Sequence, residues 1–299
     1  MFDTAPQLDC AGRILRLDRT RVMGIVNVTP DSFSDGGAHF DADAAVAHGL
    51  RLAEEGADLL DIGGESTRPG AAEVSLEEEL RRVVPVVERL ARETALPISV
   101  DTSKPEVMQA AVQAGAGLVN DVSALRREGA LDMAASLGVP VVLMHMQGEP
   151  RSMQDAPDYE DVVGEVHRFL AERIFAAEMA GISRKKIVAD PGFGFGKTTQ
   201  HNLQLLARLE RFLELGVAVL AGLSRKRSIG ELTGRDQPQE RVFGSVAAHL
   251  VAAQRGARIV RVHDVAATVD ALRVWEAVAG VPEPRKPAAA PAISWPDGI

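Results

Sequence analysis

Two groups of polar residues recur along the chain at the ends of apolar, β-branched runs. Asn27, Arg68, Arg261 and His263 form one group. Arginine and histidine suit a phosphate, which arginine can engage bidentately. Asn27 adds a neutral oxygen of the kind a hydrated Mg²⁺ accepts when phosphate supplies the other ligands. Asp101, Asn120, Asp190 and Lys226 form the second group. Buried carboxylates beside an amide can read the edge of a heteroaromatic ring that carries N–H donors and a carbonyl. Such a site discriminates strongly, because a wrong ligand leaves buried polar groups unpaired. One polar strand end needs no explanation beyond contact with water. Here all eight runs end this way, on Asn27, Asp61 with Glu65, Asp101, Asn120 with Asp121, His145, Asp190, Ser224 with Lys226, and Arg261 with His263. That mixture of carboxylates, amides and cations points to convergence on one site.

The runs themselves are Val22–Val26, Leu59–Ile62, Ile98–Val100, Leu118–Val122, Val139–Met144, Ile187–Ala189, Val217–Leu220 and Ile259–Val262. Amphipathic segments of helical period separate them, such as AAVAHGLRLAEEGA and SLEEELRRVVPVVERLARE. Alternating strands and helices imply parallel pairing through right-handed crossovers. Eight units predict an α/β fold, a (β/α)₈ TIM barrel occupying residues 1–280 as one domain with a short N-terminal extension. An open doubly wound sheet is the alternative, but GIVNVTPDSF after the first strand is not its G-x-G-x-x-G fingerprint. In a barrel the C-terminal strand ends form the mouth, so the polar ends would meet there. The Pro- and Ala-rich tail, residues 281–299, is expected to be mobile, with Trp295 a loosely packed surface residue.

Individual stretches refine this. GFGFGKTT, Gly192 to Thr199, is not a P-loop, because that spacing needs glycine where Pro191 stands. It reads instead as a loop that brings backbone close to a ligand, with Phe193 and Phe195 as walls. GGESTRPGA, Gly63 to Ala71, reads as a mobile substrate-contacting loop ahead of a helix that starts near Ser75. His145 has no partner at metal-ligand spacing, so no zinc site is expected. Met144 reads as an apolar surface against a flat ring. His39, His48, His167, His201 and His249 read as ordinary surface or capping residues. In GLSRKRSIGELTGR the helix dipole disfavours a cationic start, which suggests an anionic or carbonyl partner near Ser224.

The 299 residues carry a net charge of −9, which argues against wholesale nucleic-acid binding but permits a locally basic pocket. The single cysteine, Cys10, excludes an internal disulfide framework and a cysteine metal cluster. The start MFDTAPQLDC has neither the basic segment nor the apolar core of a signal peptide, and no apolar stretch approaches membrane-spanning length. A soluble cytoplasmic protein is expected, with no nucleic-acid or membrane partner.

NVTPDSFSDGG, DIGGESTRPGA, SVDTSK, NDVSAL, DPGFGFGKT, GLSRK and RVHDV occur in that order after successive runs. Together they closely resemble the dihydropteroate synthase family over about residues 13–279. The resemblance implies a transferase of folate synthesis that needs Mg²⁺ and is inhibited by sulfonamides. It would join 6-hydroxymethyl-7,8-dihydropterin diphosphate to p-aminobenzoate, giving 7,8-dihydropteroate and pyrophosphate. It also implies a homodimer and a set of roles. Asp101, Asn120, Asp190 and Lys226 would hold the pterin, with Met144 against its ring. Asn27, Arg68, Arg261 and His263 would hold the diphosphate, Asn27 through Mg²⁺. Phe33, Thr67, Pro69 and Ser224 would shape the p-aminobenzoate pocket. The catalytic set would be Asp101, Lys226, Arg261 and His263, acting in a dissociative substitution. In that frame Val28 to Gly37 is a lid, with Phe33 its apolar contact and Gly36-Gly37 allowing motion. Two alternatives stand beside this reading: a methyltetrahydrofolate-dependent methyltransferase, and an inactive pterin-binding paralogue.

Overall fold

The computed structural model describes residues 6–29, 38–66, 73–148, 153 and 157–280, with backbone alone over 38–41. The eight expected runs form a closed parallel barrel. Its strands are β3 (Arg21–Asn27), β4 (Leu59–Gly63), β5 (Ile98–Asp101), β6 (Leu118–Asp121), β7 (Val141–Met144), β8 (Ile187–Asp190), β9 (Ala218–Ala221) and β10 (Ile259–Val262), with β10 closing on β3. Local chemistry explains where the boundaries shift. β7 starts at Val141 because Pro140 has no N–H to give a ladder, although its carbonyl still accepts from Val119 at 3.0 Å. β6 stops before Val122 because Asp121 draws the chain into a turn, accepting from the Ser123 and Leu125 amides at 2.8 and 2.7 Å.

Around the barrel lie α1 (Ala38–Glu54), α2 (Leu76–Glu93), α3 (Pro105–Gln113), α4 (Ala130–Leu137), α5 (Val162–Met179), α6 (Thr199–Ala207), α7 (Arg227–Thr233), α8 (Val242–Gln254) and α9 (Val265–Ala279). Helix starts follow from sequence. Ser75 caps α2, its hydroxyl accepting from Glu78 N at 3.2 Å, and three glutamates in the first turn complement the dipole. Pro105 occupies the first turn of α3, where its missing N–H costs nothing. Thr198 and His201 form a capping box at α6, within the surface-or-capping reading given to that histidine.

Strand side chains alternate between two cores. Ile62, Val100, Val119, Leu143 and Val262 face the helices in the outer core. Met23, Leu59, Leu118, Val142, Val188, Leu220 and Ile259 fill the lower barrel interior. The N-terminal extension is a structured plug for that interior. β1 (Gln7–Cys10) and β2 (Arg13–Arg16) form an antiparallel hairpin, and Leu8, Cys10, Leu15 and Leu17 join the interior cluster. Its two-residue turn has φ of 55° at Ala11 and 87° at Gly12, the double-positive geometry whose twist matches a hairpin. The plug sits against the start of β6, where a Cβ on Gly117 would come within 2.3 Å of the Cys10 carbonyl. Burial pushes the Cys10 thiol up to about 12, so it packs as a small apolar group.

Among the described residues, no helix is long and apolar enough to cross a membrane. The tail with Trp295, and the loop positions Phe33, Thr67, Arg68 and Pro69, lie outside the described residues.

Candidate functional site

Counting by twos along each strand from the interior cluster leads to the mouth. Leu59 leads to Asp61, Leu118 to Asn120, Val142 to Met144, Val188 to Asp190, and Ile259 to Arg261 and then His263. Asp101, paired in register with Gly63 on one side and Asn120 on the other, stands in the same set. Asn27 closes β3 opposite Gly63. The structure therefore brings together Asn27, Asp101, Asn120, Met144, Asp190, Arg261 and His263, as expected from sequence.

A continuous polar network runs through this layer. Arg261 Nε donates to Asp61 Oδ2 at 2.6 Å, and its Nη2 donates to Asp101 Oδ2 at 2.8 Å. Asn120 Nδ2 donates to the same Asp61 oxygen at 3.0 Å. Asp61 is completely buried, whereas Asp101 keeps about 10% of its side chain exposed. Burial raises the Asp101 carboxyl; Arg261 opposes that shift, and nearby Asp61 adds to it. Asp61 belongs to the site although its role was not assigned from sequence. The signal available was its place two residues beyond an interior leucine.

Across the mouth, Asp190 accepts from the Gly192 amide at 2.7 Å, and burial raises its carboxyl to about 6. The Lys226 ammonium lies 4.2 Å from the centroid of the Phe195 ring, a cation–π contact that holds a charge over an apolar wall. Phe195 packs with Met144, Met146 and Met153, a soft and polarizable surface suited to a flat ring.

Ser224 faces His263. Its hydroxyl accepts from the His263 amide at 3.0 Å and lies 2.9 Å from His263 Nδ1. Between Ser224 and Lys226, Arg225 adopts a left-handed φ of 56°, which costs roughly 1–2 kcal/mol for a residue with a Cβ. A bidentate pair with Asp264 at 2.6 and 3.0 Å offsets that cost and ties the β9 loop to the β10 loop.

Several expectations require correction. Asp121 and His145 are one residue out of phase with the interior set and point away from the mouth. Asp121 builds the β6 loop, accepting from Ser103 as well as from the two turn amides. His145 is enclosed beside Phe169 and receives Lys197 Nζ on Nδ1 at 2.9 Å. Burial lowers its imidazole to about 2, so it stays neutral. Glu65 also serves the framework, accepting from Lys104 Nζ at 2.6 Å and from the Val74 amide at 3.0 Å. Lys104 in turn meets the fully buried Glu79. Phe193 lies in the outer core, so Phe195 alone of the two forms a wall. Two glycines of that loop make room for protein backbone: a Cβ on Gly192 would lie 1.8 Å from the His145 carbonyl, and one on Gly196 would lie 2.5 Å from that of Gln147. His249 is no surface residue; burial in the α8 core lowers it to about 4. The lid assigned to Val28–Gly37 falls mostly outside the described residues, as do Phe33, Thr67, Arg68 and Pro69.

The fold and the mouth define a parallel barrel whose open end combines an apolar, methionine-lined wall with an arginine–histidine end. The pterin binding enzyme family model matches residues 23–263. Dihydropteroate synthase of Escherichia coli K12 is 52% identical over 280 residues, 94% of this chain and 99% of that protein. The crystal structure of Xanthomonas albilineans dihydropteroate synthase with 4-aminobenzoic acid superimposes with a TM-score of 0.90 at 74% identity, covering 93% of this chain and all of that one. The same enzyme in complex with 7,8-dihydropteroate gives a TM-score of 0.86 at 72% identity over the same shares. Yersinia pestis dihydropteroate synthase in complex with a sulfonamide drug gives 0.88 at 51% identity, covering 92% of this chain and 100% of that one. The chain belongs to the dihydropteroate synthases, within the pterin-binding enzyme family.

Proposed function

We propose that this protein condenses 6-hydroxymethyl-7,8-dihydropterin diphosphate with p-aminobenzoate, releasing 7,8-dihydropteroate and pyrophosphate. One observation carries the reading: three inward carboxylates, an amide and a lysine surround the mouth, and Arg261 reaches from its anion-binding end to Asp101. The same feature favours a synthase over a methyltransferase, which has no diphosphate to hold.

Asp101, Asn120, Asp190 and Lys226 hold the pterin edge, and Met144 with Phe195 lies against its face. Arg261 and His263 take the diphosphate, and Ser224 fixes His263 from behind while bordering the p-aminobenzoate pocket. Arg68 is assigned to the diphosphate, and Phe33, Thr67 and Pro69 to p-aminobenzoate, by the resemblance of their motifs. The bond between the pterin methylene and the diphosphate oxygen breaks first, its electron pair leaving with the diphosphate. The resulting cation spreads into the ring, where the Asp101 carboxylate stabilises it. The arylamine nitrogen then forms the new C–N bond and gives its proton to water. This route needs no nucleophilic triad and no carboxylate dyad.

The donor chemistry at Asn27 fits Mg²⁺: a neutral, hard amide oxygen at the mouth suits an ion that keeps several waters and takes its charge from phosphate. Bound there, Mg²⁺ supplies positive charge to the departing diphosphate. Sulfonamides would compete with p-aminobenzoate. A homodimer belongs to the same proposal, supported by apolar side chains exposed on neighbouring helices: Leu232 on α7, and Phe243, 88% exposed, on α8.

The test is pyrophosphate release from purified protein given the pterin diphosphate and Mg²⁺, with and without p-aminobenzoate. Release that requires the arylamine and yields dihydropteroate is the expected result. Tight pterin binding without release would support the inactive paralogue instead.

A further inference from the structure

Asp61 does three things that a strand-end carboxylate need not do. It is completely buried, it shares a single oxygen between two site residues, and it leaves its other oxygen unused. Oδ2 accepts from Asn120 Nδ2 at 3.0 Å and from Arg261 Nε at 2.6 Å. Oδ1 is enclosed and has no hydrogen-bond partner among the described residues. An unpaired buried carboxylate oxygen costs stability, and an apolar residue of similar volume often serves a core as well. Packing therefore does not explain the carboxylate.

Its effect on its neighbours does. A carboxylate accepts and cannot donate, so the amide of Asn120 must turn its nitrogen toward Asp61. That leaves the Asn120 carbonyl to the ligand and selects a ring that presents an N–H there. The same oxygen fixes Nε of Arg261, which carries Nη2 to Asp101 and leaves Nη1 outside both ion pairs. We propose that Asp61 is the positioning residue that couples the two ends of the site, holding the Asn120 amide carbonyl-outward and the Arg261 guanidinium in its anion-binding pose through one carboxylate oxygen. The inference rests on the pterin-diphosphate reading above, since it assumes that Asn120 meets the ring and Arg261 the anion.

The experiment measures binding of 6-hydroxymethylpterin and of pyrophosphate with Mg²⁺, each as a separate probe, by calorimetry. It uses the full chain, Asp61→Asn, Asn120→Ala, and the double variant. Thermal unfolding and steady-state kinetics are recorded for each. Asp61→Asn should weaken both probes by about 10- to 100-fold, the range for losing a hydrogen bond to a charged group. Its Tm should hold, because asparagine fills the same volume and Arg261 keeps its ion pair with Asp101. In the Asn120→Ala background, Asp61→Asn should lose most of its effect on the pterin and keep its effect on pyrophosphate. Affinities within about twofold of the unaltered chain, or losses that track a fall in Tm, would overturn the proposal. If Asn120→Ala itself leaves pterin binding intact, the ring-end reading fails and takes the inference with it. If Asn120→Ala weakens the pterin while Asp61→Asn does not, the inference alone fails.

Discussion

The lower interior of the barrel and its mouth are built on the same eight strands, two to four residues apart. Below, Met23, Leu59, Leu118, Val142, Val188, Leu220 and Ile259 pack against the hairpin residues Leu8 and Leu15, with the buried hydroxyl of Ser99 on the same inward face. Above, Asp61, Asp101, Asn120, Asp190 and Arg261 are held by hydrogen bonds and ion pairs, with burial raising two of the carboxyls. The lower half gains stability from apolar area removed from water, about 1.5–3 kcal/mol for each fully buried large side chain. The upper half gives up part of that gain by burying charge. A barrel tolerates the cost because the plugged end is anchored independently of what the open end binds.

Three sets of experiments test this contrast. The largest effect is expected at Asp101→Asn, which should lower kcat by on the order of 10²- to 10³-fold, as for loss of a preorganised electrostatic group, while Tm holds. Single-turnover product formation checks it, and unchanged turnover would remove Asp101 from the mechanism. Next, Leu15→Ala in the plug should cost about 2–5 kcal/mol in denaturant unfolding and leave KM for both substrates unchanged at a temperature where the variant is folded. A selective rise in one KM would show that the two ends are not independent. The smallest effect concerns pH. As the pH falls through about 7 and then about 6, Asp101 and Asp190 take up protons in the free protein, so kcat/KM should decline across that range. Stability should move the other way. A carboxyl raised from 3.8 to about 6 binds more protons folded than unfolded between those values, so its contribution to stability grows as pH falls through that window. Urea titrations at pH 4.5 and 7 on the unaltered chain and on Asp190→Asn isolate that contribution, and identical pH dependence in the two would refute it.

The alternation of apolar runs with amphipathic segments was enough to derive the barrel, because each strand buried on both faces must read as a continuous apolar run. The seven motifs carry the family resemblance, and most of the mouth residues are legible as strand ends. The plug was legible in principle, since LDCAGRIL alternates around a two-residue turn, but short strands carry little period. Asp121 and His145 also end strands yet lie off the mouth, because being at a strand end does not say which way a side chain points. One residue of phase sends it outward, and phase is set by pairing with neighbouring strands. Asp61 shows the limit most plainly. Its type and place were visible, but its bonds reach residues 59 and 200 positions away. Local sequence determined which segments form strands and which polar residues end them. Closure of the barrel alone decided that one buried oxygen at Asp61 would hold both Asn120 and Arg261, because a contact between distant residues exists only when the whole sheet closes.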